Sequence, residues 1–194
     1  MHRRHALWIF MLCLAPLLAA CGHPWKTLRE AVPNPFYGQG RFGVVPIVFY
    51  GLQVGDGSEA EWMAEKDAEQ QQSWQEDKAA MNEEFTEALI ATAASEGVAI
   101  VRARSAADAP FFLRANVTFY EPGIFAVVLN KNTRLKAMVQ LTDPAGGVFD
   151  EFLIDTAVPA SLTNPSSGGR ARTAASQLGK LAAKYIIHRV QGED

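Results

Sequence analysis

The stretch LKAMVQLTDPAGGVFDEFLIDTAV, residues 135–158, decides the fold. Leu135, Ala137, Val139 and Leu141 alternate with Lys136, Met138, Gln140 and Thr142, the period of a half-buried strand. Asp143-Pro144-Ala145-Gly146-Gly147 is a tight turn, and residues 148–158 return as the second strand of a hairpin. Upstream, Phe111, Leu113, Ala115, Val117 and Phe119 alternate with Phe112, Arg114, Asn116, Thr118 and Tyr120, a third strand. Residues 98–104 give a short strand. Residues 44–54 form a continuous apolar run that reads as a buried strand with Pro46 near its start. Ser58 followed by Glu61 is a capping-box pattern that opens a helix-prone segment running to Glu96. Trp74, Met81, Phe85, Leu89 and Ala93 mark its core-facing stripe, and Gly97 suits the position after its end. Residues 170–190 form the last helix, with Ala171, Ala174, Leu178, Leu181, Tyr185 and Ile186 facing inward. The order is β-α-β-β-β-β-α. The expected fold is α+β: one mostly antiparallel mixed sheet of about five strands, with two helices packed on one face.

Beyond that core, the chain has 194 residues, 48% of them hydrophobic, with a net charge of −3 and two cysteines. This is one domain rather than several, too apolar for a disordered chain, and without the basic excess that nucleic-acid binding requires. Two cysteines exclude a disulfide framework.

The N-terminus has the three parts of an export signal. Arg3 and Arg4 precede an uncharged run over residues 6–20, shorter than the ~20 residues that span a bilayer. The run ends in Leu18-Ala19-Ala20-Cys21-Gly22, which looks like a bacterial lipobox. The resemblance implies a lipoprotein signal peptide over residues 1–20 and diacylglycerol on the Cys21 thiol. It also implies cleavage before Cys21 and acylation of the new amine, palmitate being a typical chain. Gly22, which is not Asp, favours sorting to the outer membrane. The mature chain then has 174 residues, 194 less 20, and loss of Arg3 and Arg4 takes its charge from −3 to −5. Residues 21–43, with Pro24, Pro33, Pro35, Gly38, Gly40 and Gly43, read as a flexible tether, and residues 44–194 as a single domain.

Chemistry-bearing residues are few. Beyond the signal the histidines are His23, beside the anchor, and His188, in the last turn of the final helix. Neither has the spacing of a catalytic triad or of a metal-ligand pair. Asp143, Glu151 and Asp155 read as solvent-facing charges. The expectation is therefore no enzyme activity, no cofactor and no metal. Two segments stand out. Ile124, Phe125, Val127, Val128 and Leu129, followed by Lys131, Arg134 and Lys136, form an apolar stretch flanked by positive charge. It reads either as an ordinary buried strand or as an apolar contact for a membrane, an acyl chain or a partner's sheet. The acidic residues 59–77, with Trp62 and Trp74, read either as a solvated helix or as a partner-binding arm. Ten acids lie between Glu59 and Glu87 against Lys66 and Lys78. The last helix is basic, through Arg170, Arg172, Lys180, Lys184 and Arg189. The two are complementary and expected to lie side by side.

The passages EEFTEALIATAASEGVAIV, FFLRANVTFYEPG, LTDPAGGV and GGRARTAASQLGKLAAKYI, together with the lipobox, resemble poorly characterised bacterial envelope lipoproteins with an α+β domain of unknown function. The resemblance implies a periplasm-facing protein anchored in the outer membrane by lipid. As a non-enzymatic accessory or assembly subunit, it would act on an envelope protein partner. The alternative is a lipid or glycolipid carrier of outer-membrane transport, which needs an apolar groove near residues 124–129.

Overall fold

The computed structural model describes residues 23–126 and 130–192. Its framework is the antiparallel trio read from the sequence: β6 (Phe112–Glu121), β9 (Thr133–Thr142) and β10 (Val148–Val158). Leu141 pairs with Leu113 on one side and Asp150 on the other, and Val139 with Ala115 and Phe152. The pleat sends Leu135, Ala137, Val139 and Leu141 to one buried face, because successive side chains leave opposite faces of a strand.

The sheet is larger than the sequence suggested. With β1 (Trp25–Arg29), β2 (Arg41–Val44) and β5 (Ala99–Arg102) added, its main path is β1–β10–β9–β6–β2–β5, β2 lying parallel to both β5 and β6. Two-residue strands β3 (Gln53–Val54) and β4 (Gly57–Ser58) complete eight strands. The expected continuous strand over residues 44–54 is instead broken in three along β6. After β2, only Val48 bridges to Asn116, and pairing resumes at β3. Pro46 has no N–H to give the ladder. The chain bulges through Tyr50 and Gly51, where φ is +67°. The Asn116 amide holds the bulge by accepting from Tyr50 N at 2.9 Å and donating to Tyr50 O at 3.1 Å.

Residues 25–43 are not a tether but part of the domain. β1 (Trp25–Arg29) adds antiparallel to β10 as the sheet edge. Phe36 is fully buried against Phe42, Phe111 and Phe149. Beyond Trp25 the β1 side chains are exposed. With both faces of β1 exposed beyond Trp25, burial imposes no alternation, so the sequence holds no period to detect.

The single helix expected over residues 59–96 is two: α1 (Glu59–Ala64) and α2 (Ala68–Ser95). A second capping box makes the break. The Asp67 carboxylate accepts from Gln70 N at 2.8 Å while the Gln70 side chain accepts from Asp67 N at 3.3 Å. D-x-x-Q is a legible start signal. The Ser58–Glu61 box and the Trp74-to-Ala93 stripe are where the sequence placed them.

α2 and α3 (Ser167–Gln191) pack together on one face of the sheet, α3 over β9 and β10 and α2 towards β5. They run parallel: Asp77 meets Arg172, Phe85 meets Gly179, and Thr92 lies with Ile187. The opposite sheet face carries Arg114, Asn116, Lys136, Gln140 and Glu151. Among the described residues no helix is long and apolar enough to cross a membrane.

Candidate functional site

Three places gather polar or aromatic groups. The first is where the chain enters the domain. Trp25 fits edge-on against Tyr185 (5.5 Å), and His23 stacks on Trp25 at 4.8 Å. The same packing brings the His23 ring within 4.8 Å of His188, a pair separated by 165 positions that no spacing signal could reveal. Beside them Asp150 is fully buried. Its carboxylate accepts from Ala31 N, the Tyr185 hydroxyl and Arg189 Nε, each at 2.8 Å. Arg189 also donates to Ala31 O at 2.9 Å and pairs with Glu30. Burial, then the Asp150 carboxylate, push the Tyr185 phenol far above its ordinary range, so it stays a donor. This network ties the entry segment to the C-terminal turn of α3.

The second place is the elbow between α1 and α2. Asp67 turns the chain so that Trp62 meets Trp74 in a T-shaped contact at 5.2 Å, and Trp74 stacks on Tyr120 of β6 at 5.0 Å. Glu59 fixes the arrangement by accepting from Trp74 Nε1 at 2.6 Å and Lys78 Nζ at 2.8 Å. A cleft of about 380 Å³ opens here, with Trp62, Lys66, Ser73, Asp77, Tyr120 and Ser167 in its walls. Trp74 is 3% exposed, so it is a wall rather than the free anchor the sequence suggested; Trp62 is half-buried and accessible. Lys66 lies over the Trp62 ring at 4.9 Å. Burial raises the Tyr120 phenol to about 12.

Asp77 is held between Arg172 (2.7 Å) and the start of α3, where a Cβ on Gly168 would lie 2.6 Å from its Oδ1. It stands where a helix N-terminus favours negative charge. Burial nevertheless raises its pKa, because desolvation disfavours the charged form more than Arg172 restores it. A carboxyl resonance titration is expected to place Asp77 above the ordinary 3.8; a midpoint below that value would mean the ion pair outweighs burial. Asp77 lies three residues beyond Trp74 on α2, whereas Tyr120 and Ser167 are distant in sequence and only the packing of β6 and α3 brings them to the two tryptophans.

The third place is the hairpin of β7 (Ile124–Phe125) and β8 (Asn130–Lys131), a separate two-stranded sheet rather than a buried core strand. Ile124 is 44% exposed. Val127, Val128 and Leu129 lie outside the described residues, as do Leu18, Ala19, Ala20, Cys21 and Gly22. Arg170, almost wholly buried, pins the hairpin base: its Nε donates to Thr133 Oγ1 at 2.7 Å and its Nη2 to Pro122 O at 3.1 Å. The neighbouring cleft has Phe119 and Ala157 in its walls together with the ion pairs Glu121–Lys131 and Arg134–Asp155.

Asp143, Glu151 and Asp155 each hold local structure. Asp143 accepts from Gly147 N at 2.8 Å to close the β9–β10 turn, Glu151 accepts from Gln140 at 2.6 Å, and Asp155 accepts from Arg134 Nε at 2.6 Å. Among the described residues no three His, Cys, Asp or Glu are grouped to hold a metal.

No family model matches the sequence, and no curated protein matches it. Several solved structures are similar. The PelC dodecamer from Paraburkholderia phytofirmans has 12% identity over 81% of this chain and 96% of that one, with a TM-score of 0.44. A Xanthomonas campestris protein from a family of unknown function has 15% identity over 84% and 94%, with a TM-score of 0.46. A minor lipoprotein from Acinetobacter baumannii has 10% identity over 76% and 92%, with a TM-score of 0.41.

Proposed function

We propose that this is a lipid-anchored lipoprotein of the bacterial outer membrane, facing the periplasm and acting by binding, as a non-enzymatic accessory or assembly subunit of an envelope complex. One observation carries the reading: the only accessible tryptophan of the α1–α2 elbow is held rigidly at an acidic surface, well away from the point where the anchor enters. Thr92 and Glu96 share a cleft with His23 and Trp25, while Trp74 lies 18 positions earlier on the same helix. At 1.5 Å per residue that is about 27 Å. A half-exposed tryptophan backed by a fixed second ring is the kind of residue on which protein interfaces depend. The ion pairs on the described walls of the cleft beside the hairpin favour a protein partner over an acyl chain.

Two experiments test this. Cys21→Ser is expected to move the protein from the membrane fraction to the soluble fraction and leave the signal unprocessed by the lipoprotein route; a variant that still floats with membranes contradicts the anchor. Deletion of residues 59–73 is expected to reduce recovery of the partner from native envelopes, and unchanged co-purification contradicts the role of the elbow.

A further inference from the structure

We infer that the elbow cleft receives an arginine or lysine side chain of the partner polypeptide, seated on the Trp62 ring where Lys66 now stands. This rests on the partner-binding role proposed above for the elbow and names the chemistry of what binds there. The observation is the place Lys66 takes. Residues 59–77 carry seven Asp or Glu and one basic residue, Lys66. Yet the Lys66 ammonium makes no ion pair or hydrogen bond with a described residue. It stands 4.9 Å from the centroid of the Trp62 ring. The backbone beneath it is fixed, since Gln71 Nε2 donates to Lys66 O at 3.1 Å and to Met63 O at 3.2 Å. The electron-rich face of an indole attracts a cation. This face is thus a cation site already in use, and its occupant is a mobile side chain of the protein's own elbow.

The rest of the cleft suits the same guest. The other cations near it are already held, Lys78 by Glu59 and Arg172 by Asp77. Glu69, on the cleft wall, is exposed and has no ion pair, and Glu65 and Asp67 flank Lys66 in the chain, so the negative charge does not rest on one residue. An anionic guest finds no free positive end, because the start of α3 already faces the Asp77 carboxylate. An apolar guest gains the Trp62 face but strips water from Glu69 and Ser73 without replacing its hydrogen bonds. The cleft of about 380 Å³ holds the volume of about a dozen waters, room for one long side chain and not for a folded element. Tryptophan and arginine are enriched among the residues that dominate protein interfaces, and the planar guanidinium stacks on aromatic faces.

The test uses the full lipidated protein, isotope-labelled in detergent micelles, and follows its tryptophan indole resonances. The probes are the blocked peptide acetyl-Gly-Ala-Arg-Ala-Gly-amide and its glutamine analogue. The arginine peptide is expected to shift the Trp62 indole saturably and to leave Trp25, beside the entry of the chain, unmoved. It is expected to bind about tenfold more tightly than the glutamine analogue. Lys66→Met vacates the ring face and is expected to tighten the arginine peptide at least about threefold. Lys180→Met makes the same change of net charge at an exposed position of α3 and is expected to leave the affinity unchanged. Both substitutions are of side chains outside the core, so the fold is retained. Equal binding of the two peptides, or equal tightening by the two lysine substitutions, overturns the cation site. If partner recovery is still lost on deletion of residues 59–73, that result removes only the nature of the guest and leaves the elbow as the partner surface. Partner recovery unaffected by the deletion overturns both.

Discussion

Arg189→Ala is expected to destabilise the domain by about 3–5 kcal/mol, the range for breaking one partner out of a buried ion pair. Arg189 and Asp150 are 3% and 0% exposed. Removing the guanidinium leaves the Asp150 carboxylate buried with two neutral donors, Ala31 N and the Tyr185 hydroxyl. It also frees the Ala31 carbonyl and Glu30, so the entry segment loses its hold on α3. At roughly 2–4 °C per kcal/mol for a domain of this size, Tm should fall by about 6–20 °C. The mechanism makes a second, sharper forecast. Asp150→Asn removes the charge: its amide oxygen can still accept from Ala31 N, and its NH2 can donate to the Tyr185 hydroxyl oxygen. The double variant Asp150→Asn, Arg189→Ala should therefore be more stable than Arg189→Ala alone. Calorimetric melts of the two variants check this, and a double variant less stable than the single one would mean that lost packing, not a stranded charge, dominates.

Gly179→Ala sets two effects against each other. In a helix interior alanine is favoured over glycine by about 1 kcal/mol, so the sequence alone predicts stabilisation. The structure reverses the sign. A Cβ at Gly179 would overlap the Phe85 carbonyl oxygen of α2 and lie 3.0 Å from Phe85 C and 3.1 Å from Leu89 N. These are backbone atoms of a helix, which cannot rotate aside. α2 and α3 must move apart, and Met81, Phe85 and Leu89, all at most 1% exposed, lose contact along the seam. Overpacking of this kind costs about 1–3 kcal/mol, and a net loss of about 2 kcal/mol in denaturant melts is the expected outcome. A raised midpoint would mean that the helices pack less closely than described.

The parts of the fold that were legible share a cause. Leu135 to Leu141, Phe152 to Val158 and Trp74 to Ala93 each bury one face and expose the other, so burial writes a period into the sequence. β1 could not be read because its outer side chains face solvent on an edge. Residues 44–54 were misread because their apolar character serves loop packing, with Pro46 and Gly51 interrupting the ladder. The α1–α2 break was readable at Asp67 and Gln70, but lay inside an uninterrupted helix-prone run. At the elbow, Trp62 and Trp74 were visible as unusual residues in a polar segment. Which of them is accessible depends on Tyr120, brought by β6, and no local pattern encodes that.

The charge asymmetry between the two long helices was legible in composition, and its consequence was not. Arg172 and Asp77 join the helices at one end, but Arg170 and Arg189 are buried in other networks, and Lys180 and Lys184 are exposed without an ion pair to α2. Complementarity between neighbouring exposed helices contributes little to stability.

The proposed function places a partner at the elbow of a protein anchored in the envelope. The direct measurement is photo-crosslinking in native cells from a probe at Glu69, an exposed residue at the elbow cleft, with a matched probe at Ala99 on β5. A discrete protein adduct from position 69, absent from position 99 and diminished by Trp62→Ala, is the predicted result. Adducts that are the same from both positions, or none from position 69 in cells where the protein is membrane-bound, would contradict it.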